Sequence, residues 1–452
     1  MRILYITNGY KPHRWAGTET YTAGIAEEIA GRGHTVDVLC AGDWEKGGEY
    51  WNGVGEDIQN GILVRRINLN WAKSPDPFGY LYNNPVVAGY LEMFLRVGKY
   101  DLVHVTSCET LSASVFQAVK SAGLPLVFSI TDFWMLCPRI NLLHGNGSNC
   151  TGQTRPEECL DCLLMESRWY PKARKIIPEK ILFPELGLIS KHPFLTRRRG
   201  LRGMVGNVAD RKSMLMHALT LPNYLVTASS FVRDVFLSNG VNVPISVQSY
   251  GHDLSWLKSY KGKSESNMLR FGYIGQLINS KGVHLVLQAL DHLAQRYLDK
   301  ISVVIYGNIN HTPSYGQQLR EMAAGYANVT FGGTYPHSDS AHVFSSIDVL
   351  LVPSLWFDFP LIIYEAFATH TPVIATNLGG MAEAVMTDKN GLLFERGDAA
   401  DLAWQIQRLL DEPELLHRLT QGIPKVRTVN EEVDSLEQKY DELVHAGTIN
   451  ID

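Results

Sequence analysis

PSLWFDFPLIIYEAFATHTPVIATNLGGMAEAVMTDKNG, residues 353–391, sets one carboxylate inside an apolar helix. Around Glu365 stand Leu361, Ile362, Ile363, Tyr364, Ala366, Phe367 and Ala368, apolar on every face, with Pro360 suited to the first helical position. The pattern predicts a buried helix. A carboxylate buried without partners is costly, so Glu365 is expected to hydrogen-bond to protein groups or to a hydroxyl-rich ligand such as a sugar or ribose. Asp348 to Val352 is strand-like and ends in Pro353-Ser354, while a second apolar run, Pro372 to Ala375, and Gly379-Gly380 follow the helix. This is a strand, loop, helix, strand unit of a parallel sheet, in which ligands sit beyond the carboxyl ends of strands and against helix N-termini.

The same alternation extends outward. Leu269 to Ile274, Ile301 to Tyr306 and Val329 to Gly333 read as strands, and Val283, Val286, Leu287 and Leu290 mark a helix after the first of them. Lys281 stands at that helix's start, where a cation opposes the helix dipole and an anion such as a diphosphate would justify it. The polar run Lys261 to Asn267 places a domain boundary between Gly251 and Asn267, and Leu402 to Leu410 and Val433 to Val444 read as the last helices. Toward the N-terminus, strands are expected at Ile3 to Thr7, Val36 to Cys40, Asp101 to Val105, Leu126 to Ile130, Tyr224 to Ala228 and Ile245 to Gln248. Tyr21, Ile25 and Ile29 mark a helix after the loop that holds Gly17, and Asp132 follows the fourth strand, as a turn residue or as a group facing ligand. No G-x-G-x-x-G follows the first strand, which argues against nicotinamide dinucleotides.

Residues 353–391, with Lys281 and the Gly17 loop, resemble the retaining family-four glycosyltransferases of the GT-B fold (glycosyl transferases group 1). The resemblance implies an α/β chain of two Rossmann-like doubly wound domains facing a central cleft. The expected N-terminal acceptor-side domain is 1–252, with an insertion at about 137–212; the donor domain is 253–428, and a helix in 429–452 crosses back. It also implies transfer of a sugar from a UDP- or GDP-sugar to a saccharide or lipid-linked hydroxyl acceptor, without a catalytic metal, in cell-surface glycan or glycolipid synthesis.

By resemblance, the Gly17 amide, Gln276 and Lys281 contact the donor phosphates, and Glu365 holds the ribose. Asp358 with Phe359, Pro360 and Leu361 holds the sugar, Asp132 orients a reacting hydroxyl, and Thr334-Tyr335-Pro336 meets the base. Three positions depart from the family pattern: Phe357 stands where the first Glu of Glu-x7-Glu belongs, Thr131 replaces His, and Gln276 replaces Arg. A GT-B nucleotide-sugar epimerase and a catalytically degenerate binding protein are the alternatives.

Between these segments the composition shifts twice. Cys137, Cys150, Cys159 and Cys162, spaced C-x12-C-x8-C-x2-C, offer a thiolate set for a structural zinc, against a reading of reduced buried thiols. Residues 168–212 carry twelve Lys or Arg against three acids, interleaved with Trp169, Tyr170, Ile176, Ile177, Ile181 and Phe183, in a chain of net charge −5. That mixture predicts peripheral contact with an anionic membrane rather than nucleic acid, for which no motif is present. The short apolar run at the N-terminus and the lack of a membrane-length apolar stretch predict a cytoplasmic protein, at the inner face of the membrane where it docks.

Overall fold

Parallel strands covered on both faces read as unbroken apolar runs, and in the first sheet Arg2–Thr7 (β1) and Thr35–Ala41 (β2) are buried along almost their whole length. The computed structural model describes the chain except residues 14–15, 45, 166, 168–169, 190–207, 357–360 and 449–452. The chain divides into two compact units, Met1–Tyr250 with Val429–Asp452, and Gly251–Thr428. Among the described residues no helix is long and apolar enough to cross a membrane.

In the first unit, β1 and β2 are joined by Trp51–Gln59 (β3), Ile62–Leu69 (β4), Leu102–Val105 (β5), Leu126–Ile130 (β6), Tyr224–Thr227 (β7) and Ile245–Val247 (β8). The eight strands lie in the order β3-β4-β2-β1-β5-β6-β7-β8. All pairs are parallel except β3 with β4, a hairpin closed by Asn60 and Gly61 at φ 48° and 82°. Both turn residues hold the positive φ that a tight two-residue hairpin needs, and Asn-Gly supplies it readily. This hairpin is absent from the strands expected above, although Asn60-Gly61 between alternating residues signals it. The strand order reverses between β1 and β5, where such sheets open a crevice beyond their carboxyl ends.

The terminal helix Val429–Thr448 belongs to this unit and packs on the Gly17–Gly31 helix. Its buried side carries Glu432, Val433, Leu436 and Tyr440. At its rim Arg32 pairs with Asp434 at 2.7 Å and Glu437 at 2.9 Å, and His34 Nε2 meets Glu437 at 2.6 Å. The hydrogen bond to His34, followed by that to Arg32, holds the Glu437 carboxyl below its ordinary range.

The second unit's sheet runs β11-β10-β9-β12-β13-β14, all parallel. Its strands are Leu269–Ile274 (β9), Ile301–Tyr306 (β10), Val329–Gly333 (β11), Val349–Val352 (β12), Val373–Thr376 (β13) and Gly391–Phe394 (β14). The chain builds outward from β9 to β11, then crosses back to β12 and builds the other way. The reversal between β9 and β12 puts the loops after these two strands side by side. Two doubly wound α/β units result, the expected class.

Candidate functional site

Both loops at the second sheet's reversal carry charge. The loop after β9 ends in a turn, Asn279–Lys281, and the helix Val283–Asp291 starts beyond Gly282. It is pinned to the loop after β12: Leu355 N donates to Ser280 O at 2.8 Å, and Ser354 Oγ to the same oxygen at 3.4 Å. Gly282 makes that contact possible. At φ +70°, a Cβ built there would lie 1.9 Å from Pro353 O, so no other residue fits without moving the loop. Gly282→Ala is expected to cost ~1–2 kcal/mol from left-handed backbone alone, with the clash added. Thermal unfolding and nucleotide titration of the variant check this, the expected result being a lower midpoint together with weaker binding.

Lys281 is part-buried, with Nζ 5.4 Å from the centre of the Trp356 ring. Burial lowers its pKa to about 8, because desolvation disfavours the charged ammonium. Glu365, on the helix Leu361–Ala368, is also part-buried. Burial, followed by the charge of Asp253, pushes its carboxyl up to about 7. The helix is less enclosed than its composition predicts: Ile363, Ala366 and Phe367 are buried, while Leu361, Ile362, Tyr364, Glu365 and Ala368 keep some accessible surface. An apolar helix at the rim of a sheet can keep one side for a ligand, which composition does not distinguish from core. Gln276, in the same loop as Lys281, is exposed, and its carbonyl accepts from Tyr273 Oη at 2.8 Å.

Two aromatic residues join this rim. Tyr306 at the end of β10 and Tyr335 just beyond β11 meet edge to face, ring centres 5.4 Å apart. Burial raises the Tyr335 phenol, and the Glu365 charge raises it further. Sequence alone gives Tyr306 and Trp356 no role, because their partners Tyr335 and Lys281 lie far from them along the chain. Asp358, Phe359 and Pro360 lie outside the described residues.

The reversal in the first unit holds a second group of polar residues. Gly17 opens its helix with empty space around it, so its backbone is approachable. Asp132, just past β6, accepts from Trp134 N at 2.8 Å, the turn role open to any Asp after a strand. Burial pushes its carboxyl up to about 6; the Trp134 amide opposes the shift, and Glu19 adds to it. Glu109 takes a hydrogen bond from Asn8 Nδ2 at 3.1 Å on the same rim.

Cys137, Cys150, Cys159 and Cys162 line one small pocket with His144 and Glu158. All are free thiols. Among the described residues no group of three or more His, Cys, Asp or Glu is arranged to hold a metal ion. Three of the sulfurs take local partners. Cys150 Sγ accepts from Gly152 N at 3.3 Å, Cys159 Sγ lies 3.0 Å from Thr154 Oγ1, and Cys162 Sγ bonds the Leu143 carbonyl at 3.5 Å. Burial raises Cys150, Cys159 and Cys162, Cys159 to about 11, which keeps them protonated.

The chain is similar to known proteins in both of its units. The profile of "Glycosyl transferases group 1" matches residues 258–426, and that of "Glycosyl transferase 4-like domain" matches 16–157. An uncharacterized glycosyltransferase of Methanocaldococcus jannaschii is 23% identical over 91% of this chain and 90% of its own. A D-inositol 3-phosphate glycosyltransferase of Corynebacterium urealyticum is 34% identical over 31% of this chain; the match spans only 34% of that relative. Among solved structures, a glycosyltransferase of Rickettsia africae superposes with a TM-score of 0.64 at 16% identity, covering 98% of both chains. HepE of Anabaena in complex with UDP-glucose superposes with a TM-score of 0.59 at 17% identity, over 99% of this chain and 100% of its own. These likenesses show the shared GT-B fold.

Proposed function

Because the chain belongs to the glycosyl transferases group 1, we propose that it transfers a sugar from a nucleotide diphosphate donor to a hydroxyl acceptor with retention of configuration. The observation that carries this reading is the pair at the second sheet's reversal: an ammonium and a carboxylate, each held part-buried against its preferred ionisation. A nucleoside diphosphate satisfies both. Its phosphates offer Lys281 an anion, and its ribose hydroxyls donate to Glu365. The Tyr306 and Tyr335 rings offer an apolar wall for the base. A UDP-sugar is favoured over a GDP-sugar only by analogy with HepE, a fold-level likeness.

In the reaction, the bond from the anomeric carbon to the diphosphate oxygen breaks, and the acceptor oxygen bonds to that carbon on the same face. The acceptor proton passes to the departing phosphate. Charge growing on the diphosphate is the main electrostatic task, and it falls to Lys281 with the Gly17 amide and Gln276 in supporting roles. Asp358 and the Phe359-Pro360-Leu361 backbone hold the donor sugar. Asp132 orients the acceptor hydroxyl, which a saccharide or a lipid-linked saccharide supplies. A carboxyl raised to about 6 is still mostly ionised at neutral pH and accepts from that hydroxyl.

Isothermal titration with UDP, GDP and ADP tests the reading. One nucleotide is expected to bind, and Glu365→Ala to weaken it about tenfold or more, the worth of hydrogen bonds to a charged group. Binding of none of the three, or equal binding by the variant, overturns the donor site as drawn. The titration also has a stability side. Glu365 is raised in the folded state, so the free protein loses stability as pH climbs from the ordinary carboxylate range through about 7. Glu365→Gln is therefore expected to bind nucleotide less tightly yet unfold at a higher temperature at pH 8.

A further inference from the structure

The helix Glu179–Ile189 is apolar on two sides. Its inner side, Leu182 and Leu186, packs with Leu160 and Leu164 of the helix Pro156–Leu164 in a small core of its own, with Phe183 against it. Its outer side shows Ile181 at 60% and Leu188 at 57% exposure, with Pro184 between them. Just before the helix, Ile176 is 83% exposed and Ile177 38%. Among the described residues no other stretch of this length exposes so many large apolar side chains. A helix on the surface of a globular unit is ordinarily polar on its outer side, so this one has a second face to be covered.

The mount under that face is firm. Asp161 accepts from Tyr170 Oη at 2.6 Å and pairs with Arg174 at 2.9 Å, and the Arg155 and Arg174 guanidinium groups lie 5.7 and 5.8 Å from the Phe183 ring centre. Lys172, Lys175 and Lys180 are exposed around the isoleucines, and Glu185 is exposed in the helix. The segment is inserted between β6 and β7, so it leaves the sheet from the rim that carries Asp132.

We propose that Ile176, Ile181 and Leu188, ringed by Lys172, Lys175 and Lys180, dock this protein on an anionic lipid bilayer. Isoleucine and leucine enter the headgroup boundary while lysines stay with the lipid phosphates, as on interfacial amphipathic helices. The charge decides the occupant. A second copy of the chain seated here would bring the same lysines face to face, and a nucleic acid would leave the branched side chains in water. This docking face stands apart from the transferase reading: a chain that binds no nucleotide would still partition onto vesicles.

Sedimentation of the full chain with vesicles of phosphatidylcholine alone, or of phosphatidylcholine with phosphatidylglycerol, tests it. Binding is expected on the anionic vesicles only and weakens with added salt. Lys175→Gln with Lys180→Gln lowers it about 25-fold, about fivefold for each lysine near a charged surface. Ile176→Ser, Ile181→Ser and Leu188→Ser together lower it about tenfold or more, with nucleotide binding unchanged as the check on folding. Should the apolar variant fail to fold, the lysine variant carries the test alone. No binding to anionic vesicles, binding unaffected by either variant, or a dimer that the apolar variant abolishes overturns the proposal.

Discussion

Replacing Lys281 by alanine is expected to lower kcat/KM by about 10²–10³-fold, the cost of removing one preorganised group from a developing charge. The loss should fall on turnover more than on nucleotide affinity, because negative charge on the diphosphate increases as the bond to the sugar breaks. Lys281→Arg restores charge but places a broader, planar group beside Trp356, so partial recovery is expected. The pH profile separates this role from a structural one. In the free protein Lys281 is charged below about 8, and Glu365 is ionised above about 7. The profile of kcat/KM for the donor should therefore be a narrow bell peaking between these two values. In Lys281→Arg the alkaline limb should vanish, since a guanidinium does not titrate there; in Glu365→Gln the acidic limb should go. A profile whose limbs stay in place in both variants would assign the titrations to other groups and remove the proposed roles. The lowered pKa of Lys281 also costs the empty protein stability below about pH 8, relieved as pH rises toward the ordinary lysine range, so Lys281→Met should melt higher than the parent at pH 7.

Much of this site is legible in the chain because the chemistry sits at strand ends. Every strand of the second sheet except Gly391–Phe394 follows from apolar runs bounded by glycine, proline or polar turns, and boundaries shift by a residue at most, as where Pro372 to Ala375 becomes Val373–Thr376. Lys281 and Glu365 stand out in sequence for one reason, a charged group where local structure disfavours it. What escapes is what depends on the order of strands. Tyr306 and Tyr335 are 29 residues apart and meet because β10 and β11 pair in parallel. The Asn60-Gly61 hairpin is local and readable, but its first strand, Trp51–Gln59, has no buried residue and a weaker apolar signal than the buried strands beside it. The four cysteines are a different case. Their spacing brings them to one pocket, yet spacing says nothing of where each sulfur points, and carbonyl, hydroxyl and amide partners nearby claim three of them.

Tyr440→Ala should produce the largest loss of stability. The ring is fully buried, and its hydroxyl lies 3.1 Å from Tyr5 Oη and 2.5 Å from His104 Nδ1. From His104 the chain of bonds continues through Nε2 to Ser129 Oγ at 2.8 Å, and from there to Tyr21 Oη at 3.1 Å. This network reaches from the terminal helix through β5 and β6 to the Gly17–Gly31 helix. Removing the ring leaves a cavity and strands two polar partners, an expected cost of about 3–5 kcal/mol for the apolar bulk with the lost hydrogen bonds added. Tyr440→Phe keeps the bulk and should cost only ~1–3 kcal/mol, the price of the unsatisfied groups. Denaturant unfolding of both variants, read on the first unit, gives the comparison; equal losses would mean that packing contributes nothing beyond the hydroxyl. Acid should find the same weak point. Burial lowers the His104 pKa to about 3, so it is neutral when folded, while the unfolded chain takes up a proton near its ordinary value. Stability therefore falls as pH drops from about 6.5 toward 3. Glu437, held low by His34 and Arg32, withdraws its contribution in the same direction as pH falls from the ordinary carboxylate range through its folded value. The terminal helix should thus loosen from the first unit on acidification before the second unit melts, visible as two separated transitions that merge again above neutral pH.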